Sequence, residues 1–190
     1  EIGTGDWSSD VCSSDLYNIY MDFKKFVKDK KVLIKLIIIV AFLLLDILSK
    51  VFFARFFTIG NKEFTILFGL IEFTYLENTG AAFGSFSNGT IWLAVISAVF
   101  VVAIIVFDVL YVKKETTLYS FAFSLVVSGA IGNLIDRAFL HYVRDFIKFS
   151  MFDFVCNIAD ICICVGVVLF VINMIIVEHK KRKEQDNNVE

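Results

Sequence analysis

Histidine is almost missing from this chain, proline is missing altogether, and neither sign of charge is in excess: 190 residues hold 2 His, no Pro, and 18 Lys+Arg against 20 Asp+Glu. A formal charge of −2 leaves no basic surplus for a phosphate backbone, which excludes a nucleic-acid partner. His141 and His179 are the only imidazoles, and neither an HExxH nor a CxxC pair occurs, so no metal ligand set is in view and no organic cofactor is called for. Of the four Cys, Cys12 lies in a polar tail; Cys156, Cys162 and Cys164 lie in or beside an apolar run and read as small hydrophobic filler. Charge itself is scarce at 20%, beside 58% hydrophobic residues, 22 Phe and a mean hydropathy of +0.76. A soluble domain has about 45–50% apolar and about 25% charged residues, so that class is excluded too.

What is abundant is apolar sequence in long uninterrupted runs. A helix needs about 20 mostly apolar residues to cross a bilayer, and four stretches qualify: residues 32–53, 91–112, 118–135 and 158–177. Positively charged short loops stay cytoplasmic. Lys24, Lys25, Lys28, Lys30, Lys31 and Lys35, then Lys113 and Lys114, then Lys180, Lys181, Arg182 and Lys183 fall on one side; Arg55, Lys62, Arg137, Arg144 and Lys148 fall on the other. The expected fold is an all-α membrane protein of four transmembrane helices with both termini cytoplasmic. The outer connections, residues 54–90 and 136–157, are the long ones and are expected to carry the working surface. In the first of them, Phe64-Thr65-Ile66-Leu67-Phe68 and Ile71-Glu72-Phe73-Thr74-Tyr75-Leu76 predict a small extracytoplasmic β-rich segment between helices 1 and 2.

Residues 1–20 share none of this pattern. They are polar, lack the apolar core of a signal peptide, and over residues 7–16 look like translated sequencing-adapter sequence, so they are expected to be a non-native or disordered leader. Residues 21–180 are expected to form a single membrane domain, and residues 181–190 a polar cytoplasmic tail.

Ionisable side chains inside a span are costly and ask for a functional explanation. Asp46 and Lys50 lie four apart in the first span, on one helix face, and can neutralise each other. The third span ends in Ser128-Gly129-Ala130-Ile131-Gly132-Asn133-Leu134-Ile135-Asp136-Arg137, where Ser128, Gly129 and Gly132 allow another helix to come close. Asn133, Asp136 and Arg137 form one polar face at its outer mouth. The fourth span opens with Asn157-Ile158-Ala159-Asp160, and Asp145 stands just upstream in Val143-Arg144-Asp145-Phe146-Ile147. Consecutive antiparallel spans bring these acids together, and two carboxylates close to one water can share a proton, one acting as base and one as acid. Composition and spacing alone leave this chemistry and a proton or ion pathway equally open. A serine nucleophile at Gly84-Ser85-Phe86-Ser87 has no intramembrane histidine to activate it.

Read in order, these segments resemble the lipoprotein signal peptidases, or signal peptidase II, a family of four-span bacterial aspartyl proteases. Asp46-Ile47-Leu48-Ser49-Lys50 is similar to the family's DQxTK motif. Glu77-Asn78-Thr79-Gly80-Ala81-Ala82-Phe83-Gly84 matches NxGAAFG, and Gly129 to Arg137 matches GAxGNxxDR. Val143 to Ile147 matches VVDFI, and Asn157 to Asp160 matches FNxAD. The resemblance implies that Asp145 and Asp160 are the catalytic pair. It implies that Asn78, Gly80, Asn133, Arg137 and Asn157 position substrate and intermediate, and that Asp46 and Lys50 support the fold and the site. Asp136 is the rival carboxylate, expected to be held ionised by its neighbour Arg137. The chain departs from the motifs at Ile47, Ser49, Arg144, Phe154 and Cys156. The implied activity is removal of signal peptides from diacylglyceryl-modified prolipoproteins before the lipidated cysteine. The implied setting is the bacterial cytoplasmic membrane, with membrane lipids and lipid-modified prolipoproteins as partners, an active site near the extracytoplasmic face, and a chain acting as a monomer.

Overall fold

The structure is a computed structural model that describes residues 29–60, 62–80, 90–112, 115–151 and 154–187. The expected leader, most of the first Lys-rich stretch, Ala81 to Gly84 of the second motif, and the inner turn at Lys113 and Lys114 lie outside the described residues.

Four helices are long and apolar enough to cross a membrane: α1 (Lys30–Thr58), α2 (Thr90–Tyr111), α3 (Thr117–Phe139) and α4 (Ile158–Asp186). All four expected spans are present. Two of these helices outrun the apolar stretch that announced them. α1 continues past Arg55 to Thr58, and α4 carries the expected polar tail as helix to Asp186. Good helix formers explain the latter, with Arg182 and Glu178 paired at 3.2 Å one turn apart.

The helices are not equivalent. In α1, α2 and α4 only 11% of the most apolar window is buried, against 67% in α3, so α3 is the central helix and the others offer their apolar sides outward. α3 earns that place through small residues: Ser124 and Ser128 are buried, their hydroxyls donating to the Ser120 and Leu125 carbonyls at 2.7 and 2.9 Å. A Cβ added at Gly129 would collide with the Ala159 carbonyl of α4, and one at Gly132 would stand 2.5 Å from the Asp46 carboxylate of α1. The close approach expected of these glycines is therefore real, and it is made to two helices at once.

A four-stranded antiparallel sheet sits at one end of the bundle, in the order β1 (Phe64–Ile66), β2 (Ile71–Asn78), β3 (Val143–Phe149), β4 (Val155–Cys156). The β-rich segment expected between helices 1 and 2 is only half of this sheet. β3 and β4 come from the connection between helices 3 and 4, and the alternation of apolar residues in so short a stretch was masked by Arg144 and Asp145. Phe53 at the end of α1 stacks on Phe146 of β3 (4.4 Å between ring centroids) and on Phe73 of β2 (4.8 Å), which docks the sheet on the bundle. Phe146, Ile147 and Cys156 form the buried cluster under that contact. Cys162 is likewise buried, but Cys164 is exposed on the outward side of α4 and is not the filler it was expected to be.

Candidate active site

The site grows from the first turn of α4. Asn157 is its N-cap: the side-chain oxygen accepts from the Asp160 backbone N–H at 3.0 Å, and the Asp160 carboxylate accepts from the Asn157 backbone N–H at 3.2 Å. This reciprocal capping box satisfies two orphan helix donors and fixes both side chains. The Ala159 backbone N–H, another such donor, reaches Asp46 of α1 at 2.9 Å. An Asn, a small buried residue against Gly132, and an Asp at the third position are thus what this helix end requires.

Asp145 is brought to the same place by β3. Its register partner in β2 is Leu76, and a shift in the pairing between Phe73 and Leu76 sets the remaining turn of β2 so that Asn78 lies opposite Val143. The Asn78 amide then donates to one oxygen of Asp145 at 2.8 Å, while the Asn157 amide donates to the other at 2.6 Å. Asn78 is itself held by the Gly80 backbone N–H at 3.2 Å, and Thr90 at the start of α2 donates to the Thr79 carbonyl at 2.6 Å. The four expected residues Asn78, Gly80, Asp145 and Asn157 therefore meet, and Asn157 joins Asp145 to Asp160 with opposite ends of one amide.

Asp160 receives the Asn133 amide of α3 at 2.7 Å, and the Asn133 oxygen accepts from Lys50 Nζ at 2.9 Å. Lys50 is fully buried, pairs with Asp46 at 2.7 Å and stands 3.6 Å from Asp136. A buried cation without partners would cost several kcal/mol, of order 3–5 when one partner is removed, so this network is held together by its own desolvation. The expected Asp46–Lys50 pair is present and does more than neutralise, since it positions Asn133 and the α4 terminus.

Asp136 has a different partner from the one expected. Its carboxylate accepts from the Arg144 guanidinium at 2.6 and 3.2 Å and from the Arg144 backbone N–H at 3.1 Å. No such bond joins it to adjacent Arg137 among the described residues, because consecutive helix positions point about 100° apart. The charge of Arg137 acts instead on Asp160 first, then on Asp145 and Asp136.

Burial pushes the Asp145 carboxyl up to about 6, opposed by the Asn78 hydrogen bond and reinforced by the Asp160 charge. Burial, with the two aspartates adding, pushes the Cys156 thiol up to about 12, so it stays protonated and is no nucleophile. Among the described residues no three His, Cys, Asp or Glu side chains converge as a metal-binding set. The arrangement offers two carboxylates with unequal surroundings, each oriented by amides, which is what proton transfer to and from one water requires.

The family model described as signal peptidase (SPase) II matches residues 38–176. The chain belongs to the signal peptidase II family. Among its relatives, a lipoprotein signal peptidase of Caldanaerobacter subterraneus subsp. tengcongensis is 40% identical over 135 residues, covering 70% of this chain and 90% of that protein. One of Lactobacillus johnsonii is 37% identical over 153 residues, covering 78% and 93%. Two solved bacterial membrane enzymes share the fold at 27% identity, with TM-scores of 0.67 and 0.65, covering 76% and 75% of this chain and 88% and 93% of theirs. The chain is an aspartic-type hydrolase and a multi-pass membrane protein.

Sequence reasoning missed a second polar cluster, far along the bundle from the first. Lys35 of α1 is buried and pairs with Asp108 of α2 at 2.7 Å and with Glu115 at 2.9 Å, lying 5.0 Å from the Phe123 ring centroid of α3. Ser120 donates to the same glutamate at 2.8 Å. The signal was present, since Asp108 is an ionisable residue within the second span and Lys35 one within the first.

Proposed function

We propose that this chain cleaves diacylglyceryl-modified prolipoproteins just before the lipidated cysteine, with Asp145 and Asp160 as the catalytic pair. The observation that carries the reading is that one residue, Asn157, holds both carboxylates at the mouth of α4, donating to Asp145 from its side-chain amide and to Asp160 from its backbone N–H. The ionised member takes a proton from water as the water attacks the scissile carbonyl and the protonated member gives its proton to the carbonyl oxygen; on collapse the first member passes the water proton to the leaving amine and the second recovers its own from the tetrahedral hydroxyl. Asn78, Asn133 and Asn157 hold the two acids. Arg137 places a positive charge beside them, suited to a tetrahedral intermediate. Asp46 and Lys50 act as positioning residues, and Asp136 acts on the strand that bears Asp145.

The same reading places the enzyme in the bacterial cytoplasmic membrane as a monomer, with both termini cytoplasmic and the sheet and acids near the extracytoplasmic face. The lipid can then stay in the bilayer while the scissile peptide lies at its boundary. The peptidase unit is residues 21–180, with 1–20 and 181–190 outside it. Asp136, Asp145 and Asp160 lie together at one end of the bundle, and the Asp108 and Glu115 cluster is separated from them by the apolar middle of α3, which favours hydrolysis over an ion path that needs acids spread through the membrane depth.

Incubation of the purified protein with a diacylglyceryl prolipoprotein peptide tests the proposal. Asp145→Asn and Asp160→Asn each abolish cleavage while the protein remains folded and inserted; retention of more than a few per cent of the parent rate by either overturns the pair. Asp136→Asn retains measurable turnover. Its complete inactivity in a folded protein would move the pair to Asp136 and Asp160.

A further inference from the structure

Arg144 stands where the family motif has valine, directly before Asp145, and its guanidinium points away from that acid. It is nearly buried, with 13% of its side chain exposed, and forms a fork on Asp136, which is 1% exposed. Burial works against its charge but is outweighed by Asp136, so Arg144 stays cationic. Asp136 also takes the Arg144 backbone N–H at 3.1 Å. One carboxylate from α3 therefore fixes both the main chain and the side chain of the residue that precedes Asp145, and its remaining neighbour is Lys50 at 3.6 Å.

The two proposed catalytic acids are thus tied to one buried hub by separate arms. On one arm Lys50 orients Asn133, which orients Asp160. On the other, Asp136 anchors Arg144 and with it the β3 backbone at Asp145. We propose that Arg144 is a positioning residue for the cleavage reaction, locking the strand that bears Asp145 to α3 through its ion pair with Asp136. This rests on the reading of Asp145 and Asp160 as that pair. A bidentate guanidinium has the geometry for the task, and a lysine ammonium supplies only a point charge.

The test is steady-state cleavage of a diacylglyceryl prolipoprotein peptide from about pH 5 to pH 9, with Arg144→Val, Arg144→Lys and the Arg144→Val/Asp136→Asn double variant. A misplacement of about 1 Å at a reacting group costs on the order of a hundredfold, so Arg144→Val lowers kcat at least tenfold with KM within about twofold. It also moves the alkaline limb of the pH profile upward, because Asp136, left with Lys50 as its cationic neighbour, then adds negative charge beside the pair. Arg144→Lys keeps the limb at the parent position with an intermediate kcat. The double variant costs no more than Asp136→Asn alone, as two residues acting as a unit require.

Parent-like kcat in Arg144→Val overturns the inference, as does a fall in kcat with an unmoved limb, which a purely structural role would give. Arg144→Lys behaving like Arg144→Val, or additive costs in the double variant, overturns it too. Cleavage by Asp145→Asn would remove the catalytic pair and this inference together, whereas parent-like Arg144→Val removes the inference alone.

Discussion

Asn78 and Asn157 hold opposite oxygens of Asp145, and this division sets how the site responds to pH. Burial raises the Asp145 carboxyl to about 6, and the Asn78 amide is the strongest influence in the other direction. A pair that works with one proton loses activity when that proton leaves, so the alkaline limb of kcat/KM follows the upper apparent pKa of the pair. Asn78→Ala removes a donor to the ionised form, which raises that pKa. The limb therefore shifts to higher pH, and the plateau rate falls because Asp145 is less well held. A limb that stays put or moves to lower pH in a pH–rate titration would show that Asn78 serves the substrate alone. The carboxylates and amides of this site were legible in sequence because each is a polar residue where lipid or helix was expected. Their mutual bonding was not: that Asp136 pairs with Arg144, eight residues on, rather than with adjacent Arg137 depends on how α3 ends. His141, at φ 65, turns the chain back from α3 into β3 and brings the two together.

At the scale of elements, the spans announced themselves by uninterrupted apolar sequence and the close helix approach to α3 by Ser128, Gly129 and Gly132, whereas the central place of α3 emerged only in the structure. The sheet was only half visible. β1 and β2 form a local hairpin with a recognisable β-branched pattern, whereas β3 pairs with β2 across about seventy residues of chain, a long-range match that local composition does not encode. The junction of α3 with α1 and α4 is where element packing meets chemistry, since the Ala159 carbonyl lies over Gly129 and the Asp46 carboxylate over Gly132. Overpacking there costs about 1–3 kcal/mol. Gly129→Ala and Gly132→Ala are expected to lower the unfolding temperature by several degrees. Each also reduces cleavage, because the displaced α4 terminus carries Asn157 and Asp160 with it. A thermal shift assay and a rate measurement on each variant check this, and parent values in both would mean that the helices have slack the structure does not suggest.

Across the whole molecule, polarity is gathered at two ends. One end holds Asp46, Lys50, Asn133, Asp136, Asp145 and Asp160; the other holds Lys35, Asp108 and Glu115, with Lys35 and Asp46 about 16 Å apart along α1 at 1.5 Å per residue. Between them α3 buries a stretch from Ala122 to Ala130 that is small and aliphatic apart from Phe123. Burial of Lys35 against two acids and the Arg182–Glu178 pair at 3.2 Å each remove one cation from the count that orients the chain, but Lys180, Lys181 and Lys183 at the end of α4 remain exposed. The other side is weaker than its count, because Arg144 is paired with Asp136 and Lys148 with Glu72 at 3.3 Å. The charge asymmetry therefore survives folding, and the α4 terminus is expected in the cytoplasm with the sheet outside. Phe68, fully exposed at the turn between β1 and β2, and Lys183, exposed on α4, are the probe positions this structure recommends. In a background with Cys12, Cys156, Cys162 and Cys164 replaced by alanine, Phe68→Cys should react with a membrane-impermeant maleimide on intact cells, and Lys183→Cys only after permeabilisation. Labelling of position 183 from outside, with position 68 protected, would invert the topology and put the two acids on the face opposite to the one proposed.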